Sequence, residues 1–262
     1  MKNRLLAAVL VSIVFWNVEN LFEPGSRQMA GKRWSASRYT RKCAGIGKVL
    51  LSLSDSLGNP PEIICLSEVQ SEKVLRKLVF SDQLRKFGYR FVHYDSPDHR
   101  EMDCALLYRT VTPLRHSAHH VRDKCGEVLP TRDILLVEFD GLAVLVNHHP
   151  SKFGGKSGES RLAALMELHR LCDSLCVEGC RIVAIGDLNE TRNALSDSLM
   201  SPMVELPSDR GTIRFQGRWE QIDRAYVSPG LDASLEVGCP EALLEPDRKF
   251  GGVKPRRTYI GP

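Results

Sequence analysis

The sequence predicts an α/β fold in which two β-sheets pack face to face with helices outside. Three observations support this prediction. Apolar, β-branched runs that stop at polar clusters alternate with segments of helical periodicity along the 262 residues. The middle of the chain has several strand-like runs with few helices between them. No Pro-, Gly- or Ser-rich linker and no fixed-period repeat divides the chain, so we expect one domain over residues 1–262.

The individual elements follow from the local pattern. Eight apolar runs are predicted to be strands, and they are Val9–Trp16, Glu62–Leu66, Tyr89–His93, Cys104–Tyr108, Ile134–Phe139, Ala143–Val146, Arg181–Ile185 and Ile222–Val227. Apolar residues recur at three- and four-residue steps in Ser37–Leu57 and in Glu159–Val177, which predicts helices there, and Glu72–Phe87 is predicted to be a third helix.

Composition excludes few functions. The chain is 42% hydrophobic and 26% charged, as ordinary globular proteins are, and its net charge of +4 favours anionic partners only weakly. Basic residues without acids fill Ser26–Lys48 and the segment from Arg248 onward; such runs are solvated surface more often than phosphate-binding sites. Cys172, Cys176 and Cys180 form one helical stripe without a Cys-x-x-Cys pair, which favours buried thiols over a zinc site.

The N-terminus has two interpretations. Met1–Arg4 is basic and Leu5–Trp16 is mostly apolar, as in a secretory leader, but the apolar run continues directly into Asn17–Asn20. We therefore predict a buried strand, with an uncleaved or truncated leader as the alternative. A cytoplasmic location is favoured, and export follows if the segment is a leader. The run is too short to span a membrane, so stable membrane insertion is not expected.

Four predicted strands end in polar residues that a core does not favour. Asn17 follows the first strand, Ser67-Glu68 the second, Asn147-His148-His149 the sixth and Asp187-Leu188-Asn189 the seventh. Burying an unpaired carboxylate costs several kcal/mol or more, so such acids usually have a partner. A hard divalent cation such as Mg²⁺ takes oxygen ligands and needs only one or two carboxylates, which makes it a natural partner here.

Each of these signals is ambiguous when taken alone. Glu68 could pair with an arginine at a strand end, and His148 could be a hydrogen-bonded core histidine. Gly186–Asn189 could be a plain turn, because Gly, Asp and Asn are turn-forming residues. Asp223 could form an ordinary ion pair with the neighbouring Arg224. The information lies in the occurrence of all these residues at strand ends, in one chain and in a particular order.

The ordered set resembles a known family. The motifs are Trp16–Phe22 (WNVENLF), Cys65–Val69 (CLSEV), Asn147–Ser151 (NHHPS), Gly186–Asn189 (GDLN) and Ile222–Ser228 (IDRAYVS). Together they resemble, over nearly the whole chain, the endonuclease/exonuclease/phosphatase superfamily of DNase I-like proteins. The runs Asp95–Asp98 and Pro130–Asp133 make the chain similar to a bacterial branch of that superfamily. The resemblance implies a four-layer α/β sandwich of two mixed sheets, with the site at one end of the sheets.

The resemblance also implies residue roles. Glu68 would ligate Mg²⁺ or Mn²⁺ with Asn17 beside it, and Asp187 would orient or deprotonate the attacking water. Further roles fall on residues that would contact the phosphate (Asn189, His148 and Arg132) and on Asp223, which matches the acid that holds a catalytic histidine. Phosphoryl transfer needs mainly positioning and charge neutralisation, and these residue types supply both.

One departure from the family pattern concerns the end of the chain. Family members close with a Ser-Asp-His tripeptide before a last strand, and its histidine is the partner of the acid at Asp223. Here the sequence stops at Arg257–Pro262, and no histidine follows Asp223. We therefore expect the last strand to be missing and activity to be impaired, because losing one electrostatic stabiliser costs about 10²–10³-fold. A truncated reading frame and a relative that has lost catalysis are the two explanations.

Three functions remain as hypotheses. The first is a divalent-metal-dependent phosphoester hydrolase, a nuclease or phosphodiesterase, whose partner is a phosphoester substrate such as a nucleic acid. The second is a catalytically weak or inactive relative that binds an anionic, phosphate-containing ligand. The third is a secreted lipid phosphodiesterase, which rests only on the basic and apolar N-terminus, because the sequence indicates no exposed aromatic hairpin that would point to a membrane substrate. A monomer is favoured, and the loops that set the substrate in this fold leave its identity open.

Overall fold

The computed structural model describes residues 11–27, 34–152, 157–238 and 243–256. The strands are β1 (Ile13–Leu21), β2 (Ile63–Val69), β3 (Arg90–His93), β4 (Asp103–Tyr108), β5 (Arg115–His119), β6 (Ile134–Phe139), β7 (Leu142–His148), β8 (Arg181–Asp187), β9 (Val204–Glu205), β10 (Ile213–Phe215), β11 (Arg218–Glu220), β12 (Asp223–Val227), β13 (Leu244–Pro246) and β14 (Val253–Pro255). The helices are α1 (Ala36–Leu57), α2 (Glu72–Val79), α3 (Ser157–Val177) and α4 (Ala194–Leu199).

The strands form two mixed sheets and two separate hairpins. Sheet one has the order β1-β2-β4-β3, with β1 and β2 parallel and the other neighbours antiparallel. Sheet two has the order β5-β6-β7-β8-β12-β9, with β7 and β8 as its parallel pair. The hairpins are β10–β11 and β13–β14. Mixed sheets joined by helical crossovers belong to the predicted α/β class, and the prediction is confirmed.

Three hydrophobic clusters order these elements into four layers. Ile63, Cys65 and Leu106 of sheet one pack against Val144 and Val146 of sheet two, and this cluster fills the space between the sheets. The outer face of sheet one packs against α1 and α2. The outer face of sheet two packs against α3 and against Met200, the residue that follows α4. Alternate residues of each central strand therefore enter different clusters, as the two-residue period of a strand requires.

The predicted helix Glu72–Phe87 is wrong in its second half. Helix α2 ends at Val79, and a single turn of 3₁₀ helix follows at Arg85–Phe87. Leu75 and Leu78 face the core, and the next buried leucine is Leu84, six residues after Leu78. Six residues turn a continuous helix by about 240°, so Leu84 would point away from the core if the helix continued. The chain breaks instead and returns Leu84 to the cluster.

Strand β1 runs further along the chain than its apolar pattern predicts. It continues through Asn17 to Leu21, and Val11 and Ser12 precede it without strand structure. Residues 9 and 10 of the predicted strand lie outside the described residues. Strand β5, which the pattern did not predict, consists of Arg115–His119, and its polar composition suits its position at the edge of sheet two.

Two further expectations concern the cysteines and membranes. Cys172 is fully buried in α3 and Cys176 is partly buried, whereas Cys180 lies beyond the end of the helix, at the turn into β8. The cysteine stripe is therefore helical over its first two members only. Among the described residues, no helix combines the length and the apolar character that crossing a bilayer requires.

Candidate active site at the sheet ends

Regular strand pairing brings three predicted residues together at one end of sheet two. His148 is the partner of Asp187 in the parallel pair β7–β8, and Asp223 is its partner in the antiparallel pair β8–β12. Asp187 therefore lies between the other two. Gly186 permits this approach, since a Cβ at that position would lie 2.1 Å from the backbone oxygen of Asn147. Only glycine fits between the two strands here.

In sheet one, the backbone around Glu68 at the end of β2 is irregular. The pairing of β1 with β2 shifts register between Asn17 and Leu21, and the pairing of β2 with β4 shifts between Ser67 and Val69. Glu68 has φ 63°, and Glu19 and Asn20 on the facing segment have φ 49° and 56°. Bulges and left-handed residues re-aim side chains at strand ends and are frequent beside functional sites. Here they turn Glu68 toward sheet two.

Asn17 joins the two sheets within the site. Its Nδ2 donates hydrogen bonds to Glu68 Oε1 and to Asp187 Oδ2, each at 3.1 Å. Its Oδ1 accepts from the backbone N–H of Glu19 at 2.9 Å. The amide nitrogen thus lies where the two carboxylates converge, and the amide oxygen faces the chain in this arrangement.

A buried lysine that the sequence did not single out supports the left-handed segment. Lys42 of α1 donates from Nζ to the backbone oxygen of Glu19 at 2.7 Å and is almost fully buried. The next residue, Asn20, donates its backbone N–H to Glu68 Oε2 at 2.8 Å. Burial lowers the pKa of Lys42 to about 8, while the charges of Glu19 and Glu68 act in the opposite direction. Lys42 therefore links helix α1 to the segment that holds Glu68.

The acids of the site lie in an environment that disfavours negative charge. Burial raises the pKa of Asp187 to about 6; the Glu68 charge adds to this shift, and hydrogen bonds from Asn189 and Asn17 oppose it. Burial also raises the pKa of Asp223 well above its usual range, and the adjacent Asp187 contributes. Clustered carboxylates with raised pKa values lack compensating positive charge, which is the condition that a bound cation relieves.

The histidines of the site are neutral. Burial lowers the pKa of His148 well below its usual range, and the positive charges of Arg132 and Arg100 act in the same direction. Burial also lowers the pKa of His149 to about 3. His148 Nε2 lies 4.0 Å from both Glu68 Oε1 and Asp187 Oδ2, on the same side as the Asn17 amide. His148 is therefore available as a neutral hydrogen-bonding group facing the acids.

Arg132 and Asn189 both act on Asp187, Arg132 through its charge and Asn189 through a hydrogen bond. Arg132 is buried and forms an ion pair with Asp98, with Nε and Oδ2 3.0 Å apart. Asn189 has φ 51°; its backbone N–H donates to Asp187 Oδ1 and its Nδ2 to the backbone oxygen of His149, both at 2.9 Å. Asn189 thus orients the Asp187 carboxylate as well as lying beside it. Asp98, within the Asp95–Asp98 motif, fixes the Arg132 side chain.

Asp223 has neighbours other than the histidine that the family resemblance implies. Its backbone N–H donates to Thr212 Oγ1 at 3.1 Å, and its carboxyl group faces Asp187 and Thr212. Thr212 also accepts from the backbone N–H of Ile222 at 3.1 Å. Thr212 therefore fixes the start of β12, and no motif in the sequence indicated this role.

The donor groups at the site fit a hard divalent cation. Glu68 and Asp187 offer carboxylate oxygens, which Mg²⁺ prefers, and two oxygen ligands suffice because Mg²⁺ retains several waters. Among the described residues, three buried polar atoms of neighbouring residues have no hydrogen-bond partner, namely His148 Nδ1, His149 Nε2 and Ser67 Oγ. Unsatisfied buried polar atoms are few in proteins, and a cluster of them marks a place where water, ions or ligands bind.

Among the described residues, two groups of side chains outside this site could also hold a metal ion. Within each group, the candidate ligand atoms lie within 4.8 Å of one another. The groups are His93, Asp95 and Asp103, and Glu138, Glu178 and Cys180. Arg115 forms ion pairs with both glutamates of the second group and supplies its positive charge. In the first group, His93 already faces Asp103 at 3.4 Å and the Asp95 side chain is 90% exposed. Neither group converges on the sheet ends as Glu68 and Asp187 do.

The structure contains an aromatic hairpin that the sequence did not identify. Phe215 in β10 and Trp219 in β11 are both exposed. Segment 213–220 alternates charged and aromatic residues over only three residues per strand, which is too short for a clear strand period. The Gln216-Gly217 turn between the strands was the signal that could have identified the hairpin.

The class of protein follows from three features: two packed mixed sheets, helices outside them, and a polar cluster at the strand ends. It is a four-layer α/β sandwich with an acidic site at one end. The sequence model of the endonuclease/exonuclease/phosphatase family matches residues 12–261, so the chain belongs to that family. The resemblance predicted from the motifs is thereby confirmed, and it makes the protein a member of a family of phosphoester hydrolases.

Solved structures share this fold at low sequence identity. An endonuclease/exonuclease/phosphatase family protein from Bacteroides thetaiotaomicron is 14% identical, with a TM-score of 0.59 over 96% of this chain and 94% of that one. A mannosyl-6-phosphatase from the same organism is also 14% identical, with a TM-score of 0.56 over 84% and 86%. TDP2 from Caenorhabditis elegans is 15% identical, with a TM-score of 0.56 over 83% of this chain.

These likenesses establish the fold and leave the substrate undefined. The chain spans 63% of the solved TDP2 chain, which is less than two thirds of its length. A comparison with curated protein sequences gives no match. The chemistry of this chain is therefore inferred from the residues at the sheet ends.

Proposed function

We propose that this chain is a divalent-metal-dependent hydrolase of phosphodiester bonds, acting as a nuclease or phosphodiesterase. One observation carries the proposal. Glu68 from sheet one and Asp187 from sheet two converge on a single amide nitrogen of Asn17, at 3.1 Å each, within a cluster of buried acids. Family membership supports phosphoester hydrolysis in general. The oxygen-rich donor set favours Mg²⁺ or Mn²⁺ as the cofactor.

The metal would be held by Glu68, with Asn17 beside it. Asn17 can offer its oxygen to a cation only if its amide turns over, because the nitrogen faces the carboxylates in this arrangement. A divalent metal bound there supplies charge neutralisation at a phosphate oxygen and lowers the pKa of bound water. The backbone N–H of Asn20 keeps the second oxygen of Glu68 fixed, so the carboxylate presents Oε1 to the site.

Asp187 is the group that we assign to the attacking water. Its Oδ1 is held by the Asn189 backbone, which leaves Oδ2 directed at the centre of the site. A pKa of about 6 lets this carboxyl group accept a proton near neutral pH. Asp187 would take the proton as the water oxygen bonds to phosphorus and the ester oxygen leaves.

His148, Asn189 and Arg132 are assigned to the phosphate. A neutral His148 can donate a hydrogen bond to a phosphate oxygen without repelling the metal, and its Nε2 faces both acids. Asn189 has a second amide hydrogen besides the one given to His149. Arg132 supplies a permanent positive charge that Asp98 positions. Preorganised donors of this kind stabilise the charge that develops during phosphoryl transfer.

A second candidate function is the binding of a phosphate-containing ligand with weak or no turnover. The environment of Asp223 favours it, because this carboxyl group faces Asp187 and Thr212. An acid in such surroundings adds negative charge to the site without orienting a histidine against the substrate. Asp223 would then hold the strand ends together rather than take part in the reaction.

The test is hydrolysis of bis(p-nitrophenyl) phosphate with Mg²⁺ or Mn²⁺ by the full chain and three variants. We expect Glu68→Ala and Asp187→Ala each to reduce the rate about 10³-fold, because each removes a group from the centre of the site. Asp82→Ala is the matched control, since that side chain is 83% exposed and distant in sequence from every site residue. Equal rates in the parent and both site variants would contradict the proposal.

The same proteins separate the two candidate functions. Salt-dependent binding of inorganic phosphate or an oligonucleotide without metal-dependent turnover would favour the second candidate. Turnover that EDTA abolishes and Mg²⁺ or Mn²⁺ restores would favour the first.

A further inference from the structure

Two small hairpins form an exposed aromatic surface that the catalytic proposal does not use. We define this hairpin surface as β10–β11 and β13–β14 with the turns between their strands. Phe215, Trp219 and Phe250 are 49%, 41% and 45% exposed. Single exposed apolar residues are common, but three exposed rings on two adjoining hairpins make a candidate binding surface.

The hairpin surface is a built unit. Arg214 of β10 donates to the backbone oxygens of Gly217 at 3.1 Å and Val253 at 2.6 Å, so one side chain fastens the two hairpins together. Phe250 packs at the β10–β11 turn, where a Cβ on Gly217 would lie 3.0 Å from the Cβ of Phe250. Gln216 and Gly217 both have positive φ, which is the geometry of a tight type I′ turn. The aromatic side chains are therefore held by ordered backbone.

The base of this unit is attached to the active site. Thr212 directly precedes β10 and accepts hydrogen bonds from the backbone N–H groups of Ile222 and Asp223. Glu220, the last residue of β11, lies three residues before Asp223, so at most about 10 Å of extended chain separates them. A polymer bound on the hairpins would reach the sheet ends within a few monomer units.

The charge of the hairpin surface suits a polyanion. Within residues 209–220 and 244–256, the exposed charged residues are one acid and five bases, namely Asp209, Arg210, Arg218, Arg248, Lys249 and Arg256, while Glu220, Glu245 and Lys254 are partly exposed. The bases lie beside the aromatic side chains. Arg218 is the cross-strand partner of Phe215, and Lys249 Nζ lies 4.9 Å from the centre of the Phe250 ring. Arg214 is the cross-strand partner of Trp219, so each of the three rings lies near a basic residue.

We propose that the hairpin surface binds single-stranded nucleic acid, with bases stacked on Phe215, Trp219 and Phe250 and phosphates held by the adjacent arginines and lysine. This inference rests on the proposed phosphodiesterase function and names its substrate class. Isolated rings interleaved with cations are the arrangement that binds unpaired bases without sequence preference. The strand would continue from the hairpins to Glu68 and Asp187, where one of its phosphodiester bonds would lie.

The geometry favours a single strand over a lipid surface or a duplex. Strand pairing places Phe215 on one face of β10–β11 and Trp219 on the other, and the tip between them is Gln216-Gly217. A membrane-inserting hairpin needs one continuous apolar face or an apolar tip, and this hairpin has neither. A duplex keeps its base faces stacked inside the helix, so it offers no faces for the three rings.

The experiment measures binding of the full chain to a fluorescein-labelled oligothymidylate of about 12 nucleotides, a length within the usual site sizes. EDTA is present so that metal-dependent cleavage cannot occur. We expect Trp219→Ala to raise Kd about tenfold, Phe215→Ala to raise it by a similar factor, and Trp219→Phe to stay within about threefold of the parent, because phenylalanine still stacks. Phe80→Ala is the matched control, since that ring is 71% exposed at the end of α2 and should leave Kd unchanged.

Three results would overturn the inference. They are parent-like binding by Trp219→Ala and Phe215→Ala, tighter binding of a duplex of equal length, and binding to anionic phospholipid vesicles but not to the oligonucleotide. Hydrolysis of bis(p-nitrophenyl) phosphate by the parent reports separately on the proposed function. If that ester is hydrolysed while the oligonucleotide does not bind, the hairpin surface fails and the hydrolase stands. If the ring variants weaken binding while the parent does not hydrolyse bis(p-nitrophenyl) phosphate with Mg²⁺ or Mn²⁺, the hydrolase fails and the binding surface stands.

Discussion

The two sheets deliver their residues to the same site by different means. In sheet two, His148, Asp187 and Asp223 are neighbours in an uninterrupted register, so strand pairing alone places them together. In sheet one, Glu68 follows a register shift and has a left-handed backbone, as Glu19 does on the facing segment. We call His148, Asp187 and Asp223 the regular half of the site. Glu68, with the facing segment Glu19–Asn20, is the strained half.

This difference shows where the site depends on support from outside the sheets. A left-handed conformation costs a residue with a Cβ about 1–2 kcal/mol, and Glu19, Asn20 and Glu68 all adopt it. Contacts outside the strand ladder must offset that cost. Lys42 supplies one through its bond to Glu19, and the backbone of Asn20 supplies another to Glu68. Asn17 then couples the strained half to the regular half.

The regular half should be sensitive to the spacing of its strands. A methyl group in Gly186→Ala would lie 2.1 Å from the backbone oxygen of Asn147, so β7 and β8 must separate where they carry His148 and Asp187. We expect the free energy of unfolding to fall by about 3 kcal/mol, measured by urea denaturation. Gly45→Ala in α1 is the matched control, because nothing lies within 4 Å of its Cβ position. That change should stabilise the protein by about 0.5–1 kcal/mol.

The stability of Gly186→Ala shows whether the ends of β7 and β8 are held rigidly in register or can move apart. A free energy of unfolding within about 0.5 kcal/mol of the parent value is typical of substitutions at surface positions. That result would show that the strand ends move apart to accommodate the methyl group. The regular half would then owe its geometry to contacts other than strand pairing.

The acids in the regular half should destabilise the protein at neutral pH when no divalent metal is present. The folded-state pKa of Asp187, about 6, lies above its ordinary value of 3.8, so the folded chain binds this proton more tightly than the unfolded chain does. The associated stability is fully present below pH 3.8 and is lost as pH rises through 6. We expect Asp187→Asn to be about 2 kcal/mol more stable than the parent at pH 7 in EDTA, with a smaller difference at pH 4.5.

The lowered pKa values of His148 and His149 act in the opposite direction, because buried neutral histidines lose stability as pH falls below 6.5. They are present in both proteins, so the difference between parent and variant reports on Asp187 together with Asp223, whose pKa the Asp187 charge raises. Urea denaturation at the two pH values measures it. Adding Mg²⁺ should stabilise the parent more than the variant, because the variant keeps Glu68 and Asn17 but lacks the adjacent charge of Asp187. A difference that is the same at pH 4.5 and pH 7 would contradict the raised pKa.

Sequence reasoning identified the regular half of the site well for a physical reason. Apolar strands that end in polar residues carry a local signal; His148 and Asp187 are the last residues of such strands, and Asp223 is the first residue of another. Parallel pairing then brings the ends together without further information. The family resemblance added the four-layer arrangement, which periodicity alone left at two sheets with helices outside.

The strained half was identified only in part, because its geometry is set by tertiary contacts. The sequence indicated Glu68 and Asn17 but gave no sign that Glu68 is left-handed or that the Asn17 nitrogen lies between two carboxylates. Lys42 appeared as one member of a basic run, and such runs are usually solvated. Its burial depends on the packing of α1 against β1, which joins residues 23 positions apart. Edge strand β5 and hairpin β10–β11 escaped detection because they are short and polar.

The last prediction concerns the support of the strained half by Lys42. Lys42→Met keeps the aliphatic part of the side chain but removes the donor to the Glu19 backbone oxygen. We expect the free energy of unfolding to fall by about 1.5 kcal/mol, the usual contribution of a hydrogen bond from a charged group. Lys48→Met on the same helix is the matched control, because Lys48 is exposed and its loss should change stability by less than about 0.5 kcal/mol.

We expect Lys42→Met to affect the two halves of the site differently. If Lys42 holds the left-handed segment, its loss also relaxes the Asn20 backbone that fixes Glu68, and hydrolysis of bis(p-nitrophenyl) phosphate should need a higher Mg²⁺ concentration for half-maximal rate. Asp187 and His148 keep their register in sheet two, so the pH dependence of the rate should stay that of the parent. Lower stability with unchanged Mg²⁺ dependence would mean that the bulges alone aim Glu68, and that the lysine stabilises the fold without supporting the site.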